Sequence, residues 1–302
     1  MNRIVFFLLF LLTACSAGLQ PAASIKLNDL QPLPTPALEV VPLRVAVAAV
    51  ISPKGTVESY APLLDYLGQK LNRPVELVQR RTYLEVNDLI ERGEVDLAFV
   101  CTSAYIVGYD DFGMELLTAP QVKGETIYHA DLIVPVNSPA SDMADLKGTV
   151  FAFTDPISLT GRAYPTALVQ QLGSTPETFF SRTFFTYSHD EAIYAVANGL
   201  ADGASVDSLV FEYALSRDPS LSQKVKVIHQ SPPFGIPPVV VNPNLRPQVK
   251  ADLQALLLEM DNDPAGQTAL SGIGIERFVT IDDNAYASAR LLIQEVPLPA
   301  LP

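Results

Sequence analysis

Leu43-Arg44-Val45-Ala46-Val47-Ala48 opens the stretch that decides the fold, and Val75-Glu76-Leu77-Val78 and Val95-Asp96-Leu97-Ala98-Phe99-Val100 repeat its apolar character further on. Between the first two, Tyr60, Leu63, Leu64, Leu67 and Leu71 recur near helical spacing, so Val57 to Leu71 reads as a helix. Between the second and third, Thr82-Tyr83-Leu84-Glu85 has the form of a capping box opening a helix that runs to Arg92 and stops at Gly93. The third run is apolar throughout after Asp96, as in a strand covered on both faces. Short apolar runs alternating with amphipathic helices predict an α/β fold with mostly parallel strands.

Working toward the C-terminus, Leu132 to Val136 reads as a strand ending at a boundary, Asn137-Ser138-Pro139, and Thr149 to Phe153 begins a second unit. Its helices are expected to start near Ser158, Ser188 and Asp207, with strands near 183–186, 203–205 and 225–228. The proline-rich run from Ser231 to Pro238 is a second boundary, after which Val239-Val240-Val241 and helices over 246–261 and 284–295 return to the first unit. The expected organisation is therefore two lobes, 43–136 with 237–302 and 137–236, joined by two hinge crossings.

Working toward the N-terminus, Asn2-Arg3, the apolar run Ile4 to Leu12 and Leu12-Thr13-Ala14-Cys15 have the order of a bacterial lipoprotein signal with its lipobox. An apolar run of nine residues is too short to cross roughly 30 Å of hydrocarbon, which takes about 20 helical residues. Residues 1–14 are thus expected to be a cleaved leader, Cys15 the lipidated residue and 15–42 a tether rich in proline. The other cysteine, Cys101, then has no intramolecular disulfide partner.

With 48% apolar and 18% charged residues the chain can build cores of domain size. A formal charge of −13 argues against nucleic acid, which requires a field of Lys and Arg. It does not argue against a small anion, because backbone N–H groups and hydroxyls at helix N-termini hold oxyanions without formal charge.

Three strand-to-helix junctions in the second unit carry such groups. Ser158 and Thr160 lie in Phe151-Ala152-Phe153-Thr154-Asp155-Pro156-Ile157-Ser158-Leu159-Thr160-Gly161; Ser188 and Glu191 form a second capping-box pattern around His189; Asp207 follows Val206 as an N-cap. His189 in a first helical turn has its pKa lowered by the helix N–H groups and raised by a bound anion. Each junction equally suits an ordinary cap. In the first unit Tyr60 and Tyr105 sit after strands, where a phenol can donate without bringing charge or can simply pack. No metal-ligand spacing appears, since His129, His189 and His229 lie far apart, and there is no Gly-x-Ser-x-Gly elbow or P-loop. No cofactor and no catalysis are expected; the enzymatic alternative uses Cys101 as nucleophile with His189 as base.

In order along 43–295, Tyr60-Ala61-Pro62-Leu63-Leu64-Asp65-Tyr66-Leu67, Asp96 to Val100 with Tyr105, Leu146-Lys147-Gly148, Phe151 to Gly161, Ser188-His189 and Ala195 to Asp202 resemble the phosphate/phosphite/phosphonate-binding (PhnD-type) proteins of ABC importers. The resemblance implies a two-lobe periplasmic-binding-protein fold of type II that closes on a small oxyanion. It further implies a monomer that works with a permease and an ATPase and meets the membrane through its lipid anchor alone. The family's ligand contacts fall on Tyr60, Tyr105, Ser158, Thr160 and His189, with Asp207 and Tyr83 as further positions. Leu159 departs from the family's usual hydroxyl, removing one donor. Cys101 is either a small core residue or a thiol for a soft species such as arsenite, and a second alternative keeps the fold and makes the chain a ligand-sensing lipoprotein that docks on a histidine kinase.

Overall fold

The computed structural model describes residues 41–296. The expected leader, Cys15 and the tether up to residue 40 lie outside the described residues. In chain order the elements are β1 (Leu43–Val47), α1 (Pro53–Leu71), β2 (Val75–Val78), α2 (Tyr83–Glu91), β3 (Leu97–Phe99), α3 (Thr102–Phe112) and β4 (Glu115–Gln121). Then come β5 (Ile127–Tyr128), β6 (Ala130–Pro135), β7 (Val150–Phe153), α4 (Tyr164–Gln171), α5 (Pro176–Phe179), β8 (Arg182–Phe185), α6 (His189–Ala197), β9 (Gly203–Asp207), α7 (Ser208–Arg217) and β10 (Val225–Gln230). The chain closes with β11 (Phe234–Gly235), β12 (Val239–Val241), α8 (Pro247–Leu258), α9 (Pro264–Gly272), β13 (Arg277–Val279) and α10 (Ala287–Glu295).

Two sheets carry this order. One runs β13-β4-β12-β3-β1-β2, the other β10-β6-β9-β7-β8. Each has a parallel centre, β2-β1-β3 in the first and β9-β7-β8 in the second, and antiparallel strands outside it. The parallel part is therefore narrower than the strand-helix alternation suggests. The Thr82–Glu85 box forms with both reciprocal bonds, and α1 ends on Asn72 in the left-handed region at φ 47°.

The boundary expected at 137–139 is misplaced by one strand. Residues 130–135 pair with β9 and β10 and so belong to the second sheet. The chain crosses earlier, at 122–129, and returns at 231–238, where β5 and β11 pair as a two-stranded link, Phe234 opposite Tyr128. Ala130 to Val134 are buried throughout, so their apolar run suits either sheet, and Asn137-Ser138-Pro139 is a turn within the second. Lys226 pins that turn by donating to the Ser138 carbonyl at 2.7 Å.

The ends of the central strands face one another across the lobes. The His189 N–H donates to the Val50 carbonyl at 2.9 Å, and the Ser52 N–H to Asp190 Oδ1 at 2.8 Å. The Tyr83 N–H donates to Asp155 Oδ2 at 3.1 Å, and the Ser103 hydroxyl to the Ile157 carbonyl. Arg81 stacks on the Tyr187 ring, its guanidinium carbon 3.9 Å from the centroid. With these bridges made, the described residues 41–296 fall in one compact unit. The lobes stand closed on each other.

Candidate functional site

The segments that meet at this junction bury an unusual number of hydroxyl groups. Ser158 caps the turn Leu159–Ala163, accepting the Gly161 N–H at 3.0 Å, which leaves its own O–H free to donate. Thr160 is 1% exposed, and its Oγ1 has no hydrogen-bond partner in the protein. Gly161 allows the turn to wrap this tightly, since a Cβ there would lie 1.9 Å from Thr154 Oγ1. Ser188 precedes α6 as expected, but its hydroxyl forms no capping bond and is buried without a partner. The Ser188–Glu191 box is thus a sequence pattern the structure does not use.

His189 is fixed from behind. The Asp207 N–H donates to its Nδ1 at 2.9 Å, so in the neutral ring the hydrogen sits on Nε2, 3.5 Å from Ser158 Oγ. Burial pushes its pKa down to about 3, and the ring is neutral at ordinary pH. It is a donor without charge.

Asp207 caps α7, its Oδ1 accepting the N–H groups of Leu209 at 2.8 Å and Val210 at 3.2 Å. Burial nonetheless lifts its carboxyl up to about 7, so it changes protonation near neutrality. Asp155 lies at the other end of the junction, where Ile157 and Tyr83 donate backbone bonds to it and burial raises it to about 6.

The first lobe and the crossing supply the opposite wall. Tyr83, Cys101, Tyr128, Ile157 and Leu159 pack in one continuous buried cluster. The Tyr83 hydroxyl is buried without a hydrogen-bond partner, and that of Tyr128 has Thr102 close by but outside ordinary bonding geometry. Both phenols are held well above their ordinary range, by burial first and then by the proximity of Cys101 and Asp207 among other acidic groups. Burial also raises the Cys101 thiol, against contacts from Ser103 and the Leu159 N–H. That thiol lies 3.4 Å from Ser103 Oγ and faces the turn that carries Ser158 and Thr160.

Of the residues singled out in the sequence, Tyr83, Cys101, Ser158, Thr160, His189 and Asp207 converge. Two do not. Tyr105 donates its hydroxyl to Asp283 at 2.8 Å and packs on Tyr286, so it ties α3 to the segment before α10. Its ring belongs to the same buried cluster as Tyr83 and Tyr128, but its hydroxyl is spent on Asp283 and so is not offered to the junction. Tyr60 packs edge-on against Phe99 and lines an adjoining cleft of about 530 Å³ that Asp207 also borders, away from the donor set itself. Tyr128 and Asp155 were missed. Tyr128 precedes a strand wrongly placed in the first lobe, and Asp155 stood inside a quoted motif whose Asp-Pro step reads as an ordinary turn.

An unpartnered buried hydroxyl costs about 1–3 kcal/mol, so Tyr83, Tyr128 and Thr160 together are expensive unless something accepts from them. The set is rich in donors, free of formal positive charge and closed by two lobes. It suits a small acceptor-rich anion.

Comparison with known proteins gives a consistent picture. Residues 45–286 match the family model described as ABC transporter, phosphonate, periplasmic substrate-binding protein. The phosphate-import protein PhnD of Mycolicibacterium smegmatis is 28% identical over 220 residues, 68% of this chain and 67% of that protein. Among solved structures, the binding component of an ABC phosphonate transporter from Pseudomonas aeruginosa superposes with a TM-score of 0.78 at 22% identity, covering 83% of this chain and 84% of that one. PhnD1 from Prochlorococcus marinus, solved with methylphosphonate, gives 0.76 at 17% identity over 85% of this chain and 98% of its own. These structures share the fold.

Three buried groups make stability depend on pH, Asp207 and Asp155 in one direction and His189 in the other. Between its ordinary value of 3.8 and about 7, native Asp207 keeps a proton that the unfolded chain has released, so stability falls as pH rises. Between about 3 and 6.5 the unfolded chain binds a proton that native His189 refuses, so stability rises with pH. Asp155 acts in the same sense as Asp207 up to about 6, the two oppose His189 at mildly acidic pH, and above about 6.5 Asp207 dominates. Asn caps a helix as well as Asp, so Asp207→Asn should melt at progressively higher temperature relative to wild type as pH rises from about 5 to about 7, with a slope of at most about 1.4 kcal/mol per pH unit. Thermal melts across that range measure it; parallel curves would remove the buried carboxyl from the account.

Proposed function

We propose that this chain, which belongs to the family of periplasmic substrate-binding proteins of phosphonate ABC transporters, holds a phosphonate-type oxyanion at the lobe junction and hands it to a permease driven by an ATPase. The observation that carries this reading is the convergence of Tyr83, Tyr128, Thr160, Ser158 and the Nε2–H of His189, donors that lack acceptors or have a hydrogen left to give. A tetrahedral anion offers several acceptor oxygens to such a set. Asp207 complements it, accepting from a protonated ligand oxygen when ionised.

Neutral donors suit an anion that must be released. A full Lys or Arg contact binds more strongly, whereas neutral hydroxyls and one neutral imidazole give affinity that opening of the lobes reverses. Closure supplies the other half of the mechanism: the bridges from Tyr83 to Asp155 and from His189 to Val50 form only when the lobes meet.

Binding without catalysis is the reading the chemistry supports. Burial raises the Cys101 thiol, which suppresses the thiolate a nucleophile requires. His189 is engaged by the Asp207 N–H and faces Ser158 rather than a thiol. For localisation we propose an extracytoplasmic monomer anchored through lipid on Cys15, supported by the Leu-Thr-Ala-Cys ending of the leader. No helix among the described residues is long and apolar enough to cross a membrane.

Isothermal titration with methylphosphonate, phosphite, phosphate and sulfate tests the site. Wild type should bind a phosphorus oxyanion, and Tyr83→Phe, Tyr128→Phe, Thr160→Val and His189→Ala should each weaken it roughly ten-fold to a hundred-fold, the worth of about 1.5–3 kcal/mol for a bond to a charged group. Tyr105→Phe should leave affinity within about two-fold, since its hydroxyl serves Asp283. Equal affinity in all the site variants would end this assignment. For the anchor, Cys15→Ala should abolish incorporation of labelled lipid into the protein, whether the variant is then released or stays uncleaved; unchanged labelling would exclude lipidation at Cys15.

A further inference from the structure

A tetrahedral oxyanion leaves the cleft of about 530 Å³ beside it unexplained. Resting on the oxyanion reading above, we propose that the ligand carries a bulky, apolar, ring-bearing arm, and that this cleft receives it.

The cleft adjoins the junction directly. Asp207, Val50 and Val100 border it, and these same residues hold or flank His189 and Cys101. Its walls are largely apolar and aromatic, with Tyr60, Phe99, Ile236, Pro238, Tyr213 and Phe278 prominent. The Tyr60 and Phe99 rings meet edge to face at 5.2 Å, and Phe99 continues onto Phe278 at 6.2 Å. Flat rings at this spacing form a surface on which another ring packs.

The polar groups around the cleft are already matched to one another. Tyr213 donates to the Gly272 carbonyl at 3.1 Å and accepts from Ser59 at 2.8 Å, which closes one wall between the lobes. Lys123 on the crossing pairs with Glu212 on α7 at 2.7 Å. Glu276 accepts the Gly124 N–H at 2.9 Å. Glu212 is therefore ion-paired, while Glu276 holds one backbone N–H and keeps its charge, and Asp207 sits at the oxyanion end. Apart from Asp207, a cationic arm is met by exposed Glu276 alone, whereas most of the wall, from Tyr60 and Phe99 to Phe278, suits an apolar arm.

The volume discriminates in the same direction. Ligand pockets for drug-sized molecules run from about 300 to 1,000 Å³, and this cleft falls within that range, far above the needs of a methyl group. Desolvating rings against Tyr60 and Phe99 also strengthens the neighbouring hydrogen bonds, because water is excluded from the path to Asp207.

Titration of the full-length protein with phosphite, methylphosphonate, 2-aminoethylphosphonate and benzylphosphonate decides the matter. Benzylphosphonate should bind at least ten-fold more tightly than methylphosphonate, about 1.4 kcal/mol. Ile273→Trp, which narrows the cleft, should reduce the benzyl-to-methyl affinity ratio toward one, and Tyr60→Ala should reduce it several-fold. Benzylphosphonate binding no better than methylphosphonate in wild type would overturn the arm inference and leave the oxyanion site standing. Tightest binding of 2-aminoethylphosphonate would overturn it too, showing that a carboxylate bordering the cleft, Glu276 or Asp207, takes an ammonium. Failure of every phosphorus compound to bind would overturn the oxyanion reading and this inference together.

Discussion

Buried hydroxyl groups must hydrogen-bond or be offset elsewhere, and most of this molecule's arrangement around its lobe junction follows from that constraint. Tyr83 and Thr160 each carry a hydroxyl to a place that water does not reach and give it no protein acceptor, and Tyr128 does the same with only Thr102 close by, outside ordinary bonding geometry. A protein built for stability alone would place Phe and Val at these positions, since apolar groups of the same shape avoid the desolvation cost. Retaining the hydroxyls makes sense if an acceptor arrives from outside. His189 obeys the same logic: its pKa is driven down to about 3 and its Nδ1 is held by a backbone N–H, so the remaining ring hydrogen is directed forward.

Closure is linked to these groups through the backbone. Tyr83 begins α2, and its N–H is one of the donors that a helix start leaves unsatisfied. Asp155 from the opposite lobe accepts it. The residue that offers a phenol to the junction is therefore also the residue by which the lobes clasp. His189 is placed likewise, its N–H bound to Val50 across the junction and its ring bound to Asp207 within its own lobe. Ligand capture and lobe closure act on the same short segments, so each favours the other.

Much of this was legible in the sequence, and the parts that were not share a cause. The strand-helix alternation predicted an α/β fold, and both the family match and the solved structures support the two-lobe type II architecture. Ser158, Ser188 and Asp207 stand at helix starts because local capping chemistry follows local sequence. Side-chain direction does not. Tyr60, Tyr83, Tyr105 and Tyr128 look alike in the sequence, yet one lines the large cleft, two reach the junction and one turns back to Asp283. The choice of sheet for 130–135 was equally invisible, because a strand buried on both faces carries no mark of its neighbours. That single slip hid Tyr128, which stands beside the true crossing.

The central claim is that one tetrahedral anion satisfies donors from both lobes at once. A crystal structure of the protein grown with methylphosphonate tests it most directly. The account predicts the phosphonate oxygens within about 2.5–3.2 Å of the Tyr83 and Tyr128 hydroxyls, Thr160 Oγ1, Ser158 Oγ and His189 Nε2, with Asp207 beside them. A phosphonate bound elsewhere, with those hydroxyls still lacking an acceptor, would contradict it.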